Sequence, residues 1–203
     1  MRTHLLRKAL QALRAGRLGD AGAYKAAALT GPACPAAHKA VIALAHPIPD
    51  MKRVSAGSFA PETLGAAYLD FIRTNGIKPI EVSADVREEL QAVHPVAVRY
   101  LALHDLFHVV LGFGVDRPGE LGVWTFVAEQ RYSPTFARAA KAARWLYPLV
   151  EPSSARELAL QRARGAALAR RAPMLLGVEL EAMLFLSLQE VRSGLGITGT
   201  SAA

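Results

Sequence analysis

Residues 95–120 read PVAVRYLALHDLFHVVLGFGVDRPGE, and the reading of this stretch decides both the fold and the place of its chemistry. Pro95 suits the first turn of a helix, and the run from about Val96 to Phe113 has the length and apolar content of a helix with little solvent around it. Gly112, Gly114 and the Pro118-Gly119 pair break that helix, and Glu120 begins another that runs to about Tyr132. At about 100° per residue, His104 and His108 lie roughly 40° apart on the first helix and one turn apart in height, with Asp105 roughly 60° from His108. Three potential ligands thus share one face. The Gly-Pro break lets the second helix fold back antiparallel, so that Glu120 enters from near its N-terminus.

Two imidazoles and two carboxylates from two helices can close around one divalent ion. The neighbours Leu101, Leu103, Val109, Val110 and Leu111 read as buried, and unpaired carboxylates in such surroundings cost several kcal/mol. Two arrangements meet that cost: a metal held by His104, Asp105, His108 and Glu120, or a buried salt-bridge network with Arg99 or Arg117. Two familiar motifs do not fit. The His-Asp pair of HD-domain phosphohydrolases needs a distant downstream aspartate, and Asp116 is the last aspartate in the chain. A zinc protease helix carries its general-base glutamate directly after the first histidine, where this chain has the shorter Asp105.

Outward from this stretch, helical periodicity dominates, and no segment alternates apolar and polar residues long enough to argue for a sheet. The expectation is an all-α, single-domain multi-helix bundle with its metal site between two helices. Residues 2–15 and 21–29 read as helices separated by Gly16 and Gly19, and 36–46 as another, closed by a Pro47-Ile48-Pro49-Asp50 loop. In a helix over 61–75, Leu64, Tyr68, Phe71 and Ile72 form the buried stripe, Pro61 sits in the first turn and Gly76 lies past the end. A short helix from Asp85 to Val93 stops at Pro95, while Pro134, Pro148 and Pro173 punctuate three helices further on. The last, Met174 to Arg192, is apolar around most of its circumference, as in a core helix or one lining a greasy cavity. The Gly-rich tail after Gly194 reads as disordered.

With 203 residues and 52% hydrophobic content, the chain can bury a sizeable core within one domain. One cysteine, Cys34, excludes an internal disulfide and cysteine-rich zinc fingers and fits a reducing compartment. The longest apolar stretch, Met174 to Leu188, is interrupted by Glu179 and Glu181, so no membrane-spanning segment is expected. The net charge is +7, and residues 131–171 alone carry nine basic residues against Glu151 and Glu157, so the remainder sums to zero. A recognisable helix-turn-helix, finger or aromatic-interleaved sheet is missing, and nucleic acid is not an expected partner. A membrane surface suits the pattern better. Leu5, Leu6, Ala9, Leu10 and Leu13 share a helical face, with Arg2, Arg7, Lys8, Arg14 and Arg17 around it; a transit peptide would look similar.

The pattern HDxxH, eleven residues, then E resembles the signature of the Coq-four family of ubiquinone biosynthesis proteins. Its flanks are similar too: Arg99-Tyr100 ahead of His104, and Gly119 directly before Glu120. Thr63-Leu64-Gly65 with Tyr68 and Phe71 resembles the family's upstream helix, and Glu190-Val191-Arg192 through Leu195-Gly196-Ile197 its C-terminal end. The resemblance spans roughly residues 40–197. It divides the chain into an N-terminal amphipathic helical segment (1–35), a Coq-four-like helical domain (36–197) and a disordered tail (198–203).

The resemblance implies a divalent metal, zinc, on His104, Asp105, His108 and Glu120, with those ligands catalytic in (oxidative) decarboxylation at ring carbon 1 of a polyprenyl-hydroxybenzoate. It equally implies a role in organising other ubiquinone biosynthesis proteins, and a lipid-binding scaffold with a merely structural metal is the alternative. Arg99 or Arg117 would pair with the substrate carboxylate. Tyr68 joins them as a substrate-binding residue, and Met174, Leu175, Val178, Leu184 and Phe185 are candidates to line an isoprenoid path, unless they only pack the core. The expected partners are a prenylated quinone precursor, a membrane surface bound peripherally, the other biosynthetic proteins and a second copy in a homodimer. The expected place is the bacterial cytoplasm at the inner membrane, or the matrix side of the mitochondrial inner membrane.

Overall fold

The 95–120 stretch folds, as its pattern predicts, into two helices joined by a tight turn, and the rest of the chain packs around the first of them. The computed structural model describes residues 2–78 and 81–197. In chain order the helices are α1 (Arg2–Arg14), α2 (Leu18–Thr30), α3 (Pro35–Ile42), α4 (Met51–Ser55), α5 (Leu64–Thr74), α6 (Ala84–Val93), α7 (Pro95–Leu111), α8 (Arg117–Glu129), α9 (Pro134–Val150), α10 (Ala155–Arg171) and α11 (Leu188–Gly194). Among the described residues there is no strand, only an isolated antiparallel bridge between Thr63 and Ser187. The protein is all-α and forms one domain.

Thirteen of the seventeen residues of α7 are buried, so this helix has almost no free face and must lie at the centre. One core surrounds its C-terminal half, where Leu103, Leu106, Phe107 and Val110 meet Leu64 and Tyr68 of α5, Val123 and Phe126 of α8, and Leu175, Leu176 and Leu180. A second core, under the hairpin of α1 and α2, joins Leu5, Ala12, Tyr24 and Ala27 to Val86 and Leu90 of α6 and to Ala97 and Val98.

Both ends of the turn after α7 have local causes. Gly112 adopts φ 70° and ψ 40°, a left-handed conformation that costs a residue with Cβ but not glycine. The N–H groups of Gly112 and Phe113 return to His108 O at 2.8 and 3.0 Å. Asp116 then caps α8 by accepting from Gly119 N at 2.9 Å. A Cβ at Gly119 would stand 2.0 Å from Gly114 O, so only glycine allows the turn to close this tightly. Because Asp116 is the cap, α8 begins at Arg117 and not at Glu120, and Glu120 sits in its first turn.

Four expectations need correction. Met174 to Arg192 is not one helix: two short 3-10 turns, Leu175–Gly177 and Leu180–Ala182, precede α11. An apolar circumference marks burial in any conformation. Here the carbonyls of Leu176 and Val178 accept from Arg99 at 2.7 Å each, and Ser187 with Glu190 forms the capping box that sets the true helix start at Leu188. Pro148 does not end a helix, for α9 runs through that position to Val150 and stops at Glu151-Pro152. The Pro47–Asp50 loop leads into an unforeseen helix, α4, whose N-cap is Asp50. Finally, the chain after Gly194 is packed as far as it is described. Leu195 and Ile197 are buried in the main core, and residues 198–203 lie outside the described residues.

Candidate metal centre

The candidate ligands meet where α8 folds back on α7. Glu120 Oε2 lies 3.5 Å from His104 Nε2, and Glu120 Oε1 lies 3.4 Å from His108 Nε2. One ligand atom from each of the three residues falls within 4.8 Å of the others. These separations suit a shared ion, because two ligand atoms each about 2.1 Å from a tetrahedral cation sit roughly 3.4 Å apart. His108 Nε2 is buried and makes no hydrogen bond, a cost that a cation between it and the carboxylate would remove.

Neighbouring groups set how each imidazole faces this point. His108 Nδ1 is 3.3 Å from Phe113 O, so it carries the proton it donates there and leaves the Nε2 lone pair for a ligand. His104 Nδ1 is 3.4 Å from Asp105 Oδ1 in the same role. Phe71 of α5 stacks on the His108 ring at 5.7 Å, and Tyr100 meets the His104 ring edge-on at 5.6 Å. Arg164 of α10 donates to the carbonyls of Leu111 and Gly112 at 3.0 Å each and lies 4.7 Å over the Phe113 ring. Arg192 donates to Val109 O and Val110 O at 2.8 and 2.9 Å. Two cations therefore cap the last carbonyls of α7 and hold the turn whose Phe113 carbonyl orients His108.

The electrostatics of the chain alone describe a place built for positive charge beside Glu120. Burial opposes protonation of His104, yet the hydrogen bonds and charges of Asp105 and Glu120 outweigh it and lift the imidazole to about 9. Burial likewise opposes ionisation of Glu120, while His104 and His108 together bring its carboxyl down to about 2. The phenols of Tyr68 and Tyr100 are pushed up, chiefly by burial, and further by the nearby carboxylates: Asp105 for both, Glu120 for Tyr100. Tyr100 Oη is buried without a hydrogen-bond partner.

The structure thus brings together His104, His108 and Glu120, and it turns Asp105 away from the shared point toward His104 Nδ1. The two arginines expected near the site are elsewhere. Arg99 precedes His104 by five residues, roughly 140° around the helix. It is fully buried, donating to Glu181 and to the carbonyls of Leu176, Val178 and Pro47. Arg117 is exposed and pairs with Glu151. Neither pairs with Asp105 or Glu120, which removes the salt-bridge alternative for this cluster.

Tyr68 is buried close enough to feel the charge of Asp105. Met174 and Val178 pack partly buried against the main core, and Phe185 is 74% exposed, tilted against Phe59 with ring centroids 5.2 Å apart. A cavity of about 700 Å³ lies instead between α4, α6 and α7, walled by Met51, Val82, Arg87, Val98 and Leu101 among others and by none of the expected lining residues. Sequence reasoning missed Phe71, Phe113, Arg164 and Arg192 as supports of the centre. Tyr100 alone left a local signal, standing one turn before His104 on the same face.

An all-helical bundle that gathers two imidazoles and a carboxylate from antiparallel helices, each imidazole held by a second partner, defines the class: a helical protein with a candidate divalent-metal centre. The sequence matches the family described as Coenzyme Q (ubiquinone) biosynthesis protein Coq4 over residues 46–201, and the chain belongs to that family. Membership gives it a role in ubiquinone biosynthesis and points to other components of that pathway as partners. A protein of Nostoc punctiforme, whose crystal structure is provisionally described as that of a ubiquinone biosynthesis protein, is similar in fold. Its TM-score is 0.61 at 21% identity, covering 96% of this chain and 97% of that one. No curated protein sequence matches the chain. No described helix is long and apolar enough to cross a membrane.

Proposed function

We propose that His104, His108 and Glu120 hold one divalent cation, zinc, and that the chain uses this centre to remove the carboxylate from ring carbon 1 of a polyprenyl-hydroxybenzoate in ubiquinone biosynthesis. The observation that carries this reading is the count of converging ligands. Three protein ligands leave a coordination position free, as catalytic sites do, whereas a purely structural staple closes with four. Asp105 would have supplied the fourth, but its carboxylate is turned to His104 Nδ1. The site is also reachable, since Glu120 is 38% exposed and His104 26%.

The bound ion would supply a Lewis acid for the substrate's phenolic oxygen, which helps the ring hold negative charge. The chain's own residues do the rest. Asp105 fixes the His104 ring, and Phe113 O fixes that of His108. Two neutral imidazoles and one carboxylate leave the loaded centre positive, so it attracts an anionic ring carboxylate. When the bond from carbon 1 to the carboxylate breaks, carbon dioxide leaves, the electron pair stays in the ring and a proton replaces it at carbon 1. That proton comes from water, which reaches the site beside the partly exposed Glu120 and His104.

Metal analysis and turnover test the reading together. Purified protein is expected to carry about one divalent ion, and His108→Ala to lose it. Wild type is expected to convert a prenylated hydroxybenzoate to the product lacking the carboxylate mass, and Glu120→Ala to convert none while keeping its helical circular dichroism. Equal metal content in wild type and His108→Ala refutes the site. Metal-loaded wild type that converts nothing leaves a scaffold with a structural ion.

A further inference from the structure

The hairpin of α9 and α10 ends in an apolar tip that the fold leaves uncovered. Leu149 is 76% exposed, Val150 69% and Trp145 66%, and Leu146 beside them is also exposed. Across the turn, Leu160 of α10 is exposed as well. Folding accounts for the opposite face, where Ala143 and Tyr147 pack with Leu121, Trp124 and Leu158. Large apolar side chains clustered at one exposed end, with an aromatic among them, mark a contact site and not ordinary surface.

The charges around the tip identify what it contacts. Arg138, Lys141 and Arg144 on α9 and Arg156 on α10 are all exposed, against Glu157 as the one exposed acid of this hairpin. Glu151, at the tip itself, is already paired with Arg117. Along α9 the order is basic, then aromatic, then aliphatic. At about 1.5 Å per residue, Arg144 stands about 8 Å and Lys141 about 12 Å behind Leu149, so the cations reach phosphate level when the tip is in the hydrocarbon. Trp145 falls between them, the depth at which tryptophan anchors proteins to bilayers.

We propose that the α9–α10 tip is a docking surface for an anionic lipid bilayer, with Trp145, Leu146, Leu149 and Val150 inserted and Lys141 and Arg144 on lipid phosphates. The Arg117–Glu151 ion pair gives this placement its consequence. It ties the end of α9 to the first residue of α8, and Glu120 follows one turn later on α8. The docked protein therefore holds the His104–His108–Glu120 centre within about a helical turn of the tip's level, where a substrate with a prenyl tail emerges from the membrane. That last step rests on the proposed function; the docking itself does not. The α1 face is the weaker contact: Leu5 and Ala12 are buried on α2, and Leu6, Leu10 and Leu13 are only about half exposed, with no aromatic among them.

Flotation of the full chain with vesicles of equimolar phosphatidylglycerol and phosphatidylcholine tests this directly. Leu149→Glu with Val150→Glu is expected to lower the bound fraction more than tenfold, and each of Lys141→Ala and Arg144→Ala about fivefold at low salt. Leu10→Glu is expected to leave binding nearly unchanged. Brominated acyl chains should quench the fluorescence of wild type, and Trp145→Phe should abolish that quenching, because Trp124 packs from α8 against Leu121, Ala143 and Leu158 on the face away from the tip's apolar side chains. Metal content, measured on the same variants, should stay at the wild-type value, so a failed metal site and a failed docking surface give different results. Loss of binding in Leu10→Glu and not in the tip variant overturns the proposal in favour of α1. A wild-type dimer that the tip variant dissolves, with no vesicle binding, overturns it in favour of a second copy. Binding to pure phosphatidylcholine as strong as to the mixture removes the role given to the cations.

Discussion

Replacing Arg99 by methionine is the sharpest test of how the centre of this fold is held. The guanidinium is fully buried and donates to four groups within 3.1 Å: Leu176 O and Val178 O at 2.7 Å, Pro47 O at 3.0 Å, and both oxygens of Glu181 at 2.9 and 3.1 Å. Methionine fills much of the volume and satisfies none of them. Breaking a buried ion pair from one side costs about 3–5 kcal/mol, and each buried carbonyl left unpaired adds about 1 kcal/mol. A loss of roughly 6–8 kcal/mol rivals the whole stability of an ordinary domain, about 5–15 kcal/mol. For a chain of this size, at about 2–4 °C per kcal/mol, the melting temperature should fall by roughly 12–30 °C. Arg99→Lys should recover only part of it, because a single ammonium cannot span the fork that serves Glu181 and three carbonyls at once. Glu181→Gln in the Arg99→Met background should give back about 2 kcal/mol or more, since it removes the stranded carboxylate. Thermal unfolding followed by circular dichroism measures all three. A melting temperature for Arg99→Met within about 3 °C of wild type would refute the reasoning.

Three further outcomes follow from particular contacts. Gly165→Ala pushes a methyl to 2.3 Å from Gly122 O where α10 crosses α8, so it should cost about 1–3 kcal/mol and lower the melting temperature by several degrees; a neutral result means the two helices separate freely. Arg164→Ala removes the donor that holds Leu111 O and Gly112 O, and through the Phe113 turn it should weaken divalent-ion affinity by about tenfold in a metal titration, with unchanged affinity counting against the support described for His108. Ile197→Asp places an unpaired carboxylate at a position 1% exposed, and it should destabilise the fold by at least about 3 kcal/mol in urea unfolding if the C-terminal segment is packed as described.

What the sequence discloses about this protein divides along the line between local and distant causes. The spacing of His104 and His108, the glycine that ends α7 and the short turn before α8 are local, and each is legible in the sequence itself. The antiparallel return that brings Glu120 to both histidines follows from those breaks alone. The segment 174–187 departs from its helical pattern because its carbonyls are bound by Arg99, 77 and 79 residues earlier in the chain. No periodicity in the segment itself can report a donor on another helix. Arg99 was misplaced for the converse reason: nearness in sequence to His104 suggested a shared site, while five residues of helix send it to the opposite side.

Asp105 shows where the two kinds of reading meet. Sequence spacing puts it on the ligand face, about 60° from His108, and on that ground four ligands and three are equally acceptable. What separates them is the direction of one carboxylate, and His104 settles it by offering its adjacent Nδ1. Engaged there, Asp105 would orient an imidazole of the proposed centre instead of closing its coordination shell, and the position it gives up would be the one that a substrate oxygen or water needs. Replacing Asp105 with asparagine keeps a hydrogen-bond acceptor for Nδ1–H. It should therefore retain most of the bound metal, whereas Glu120→Gln should lose it.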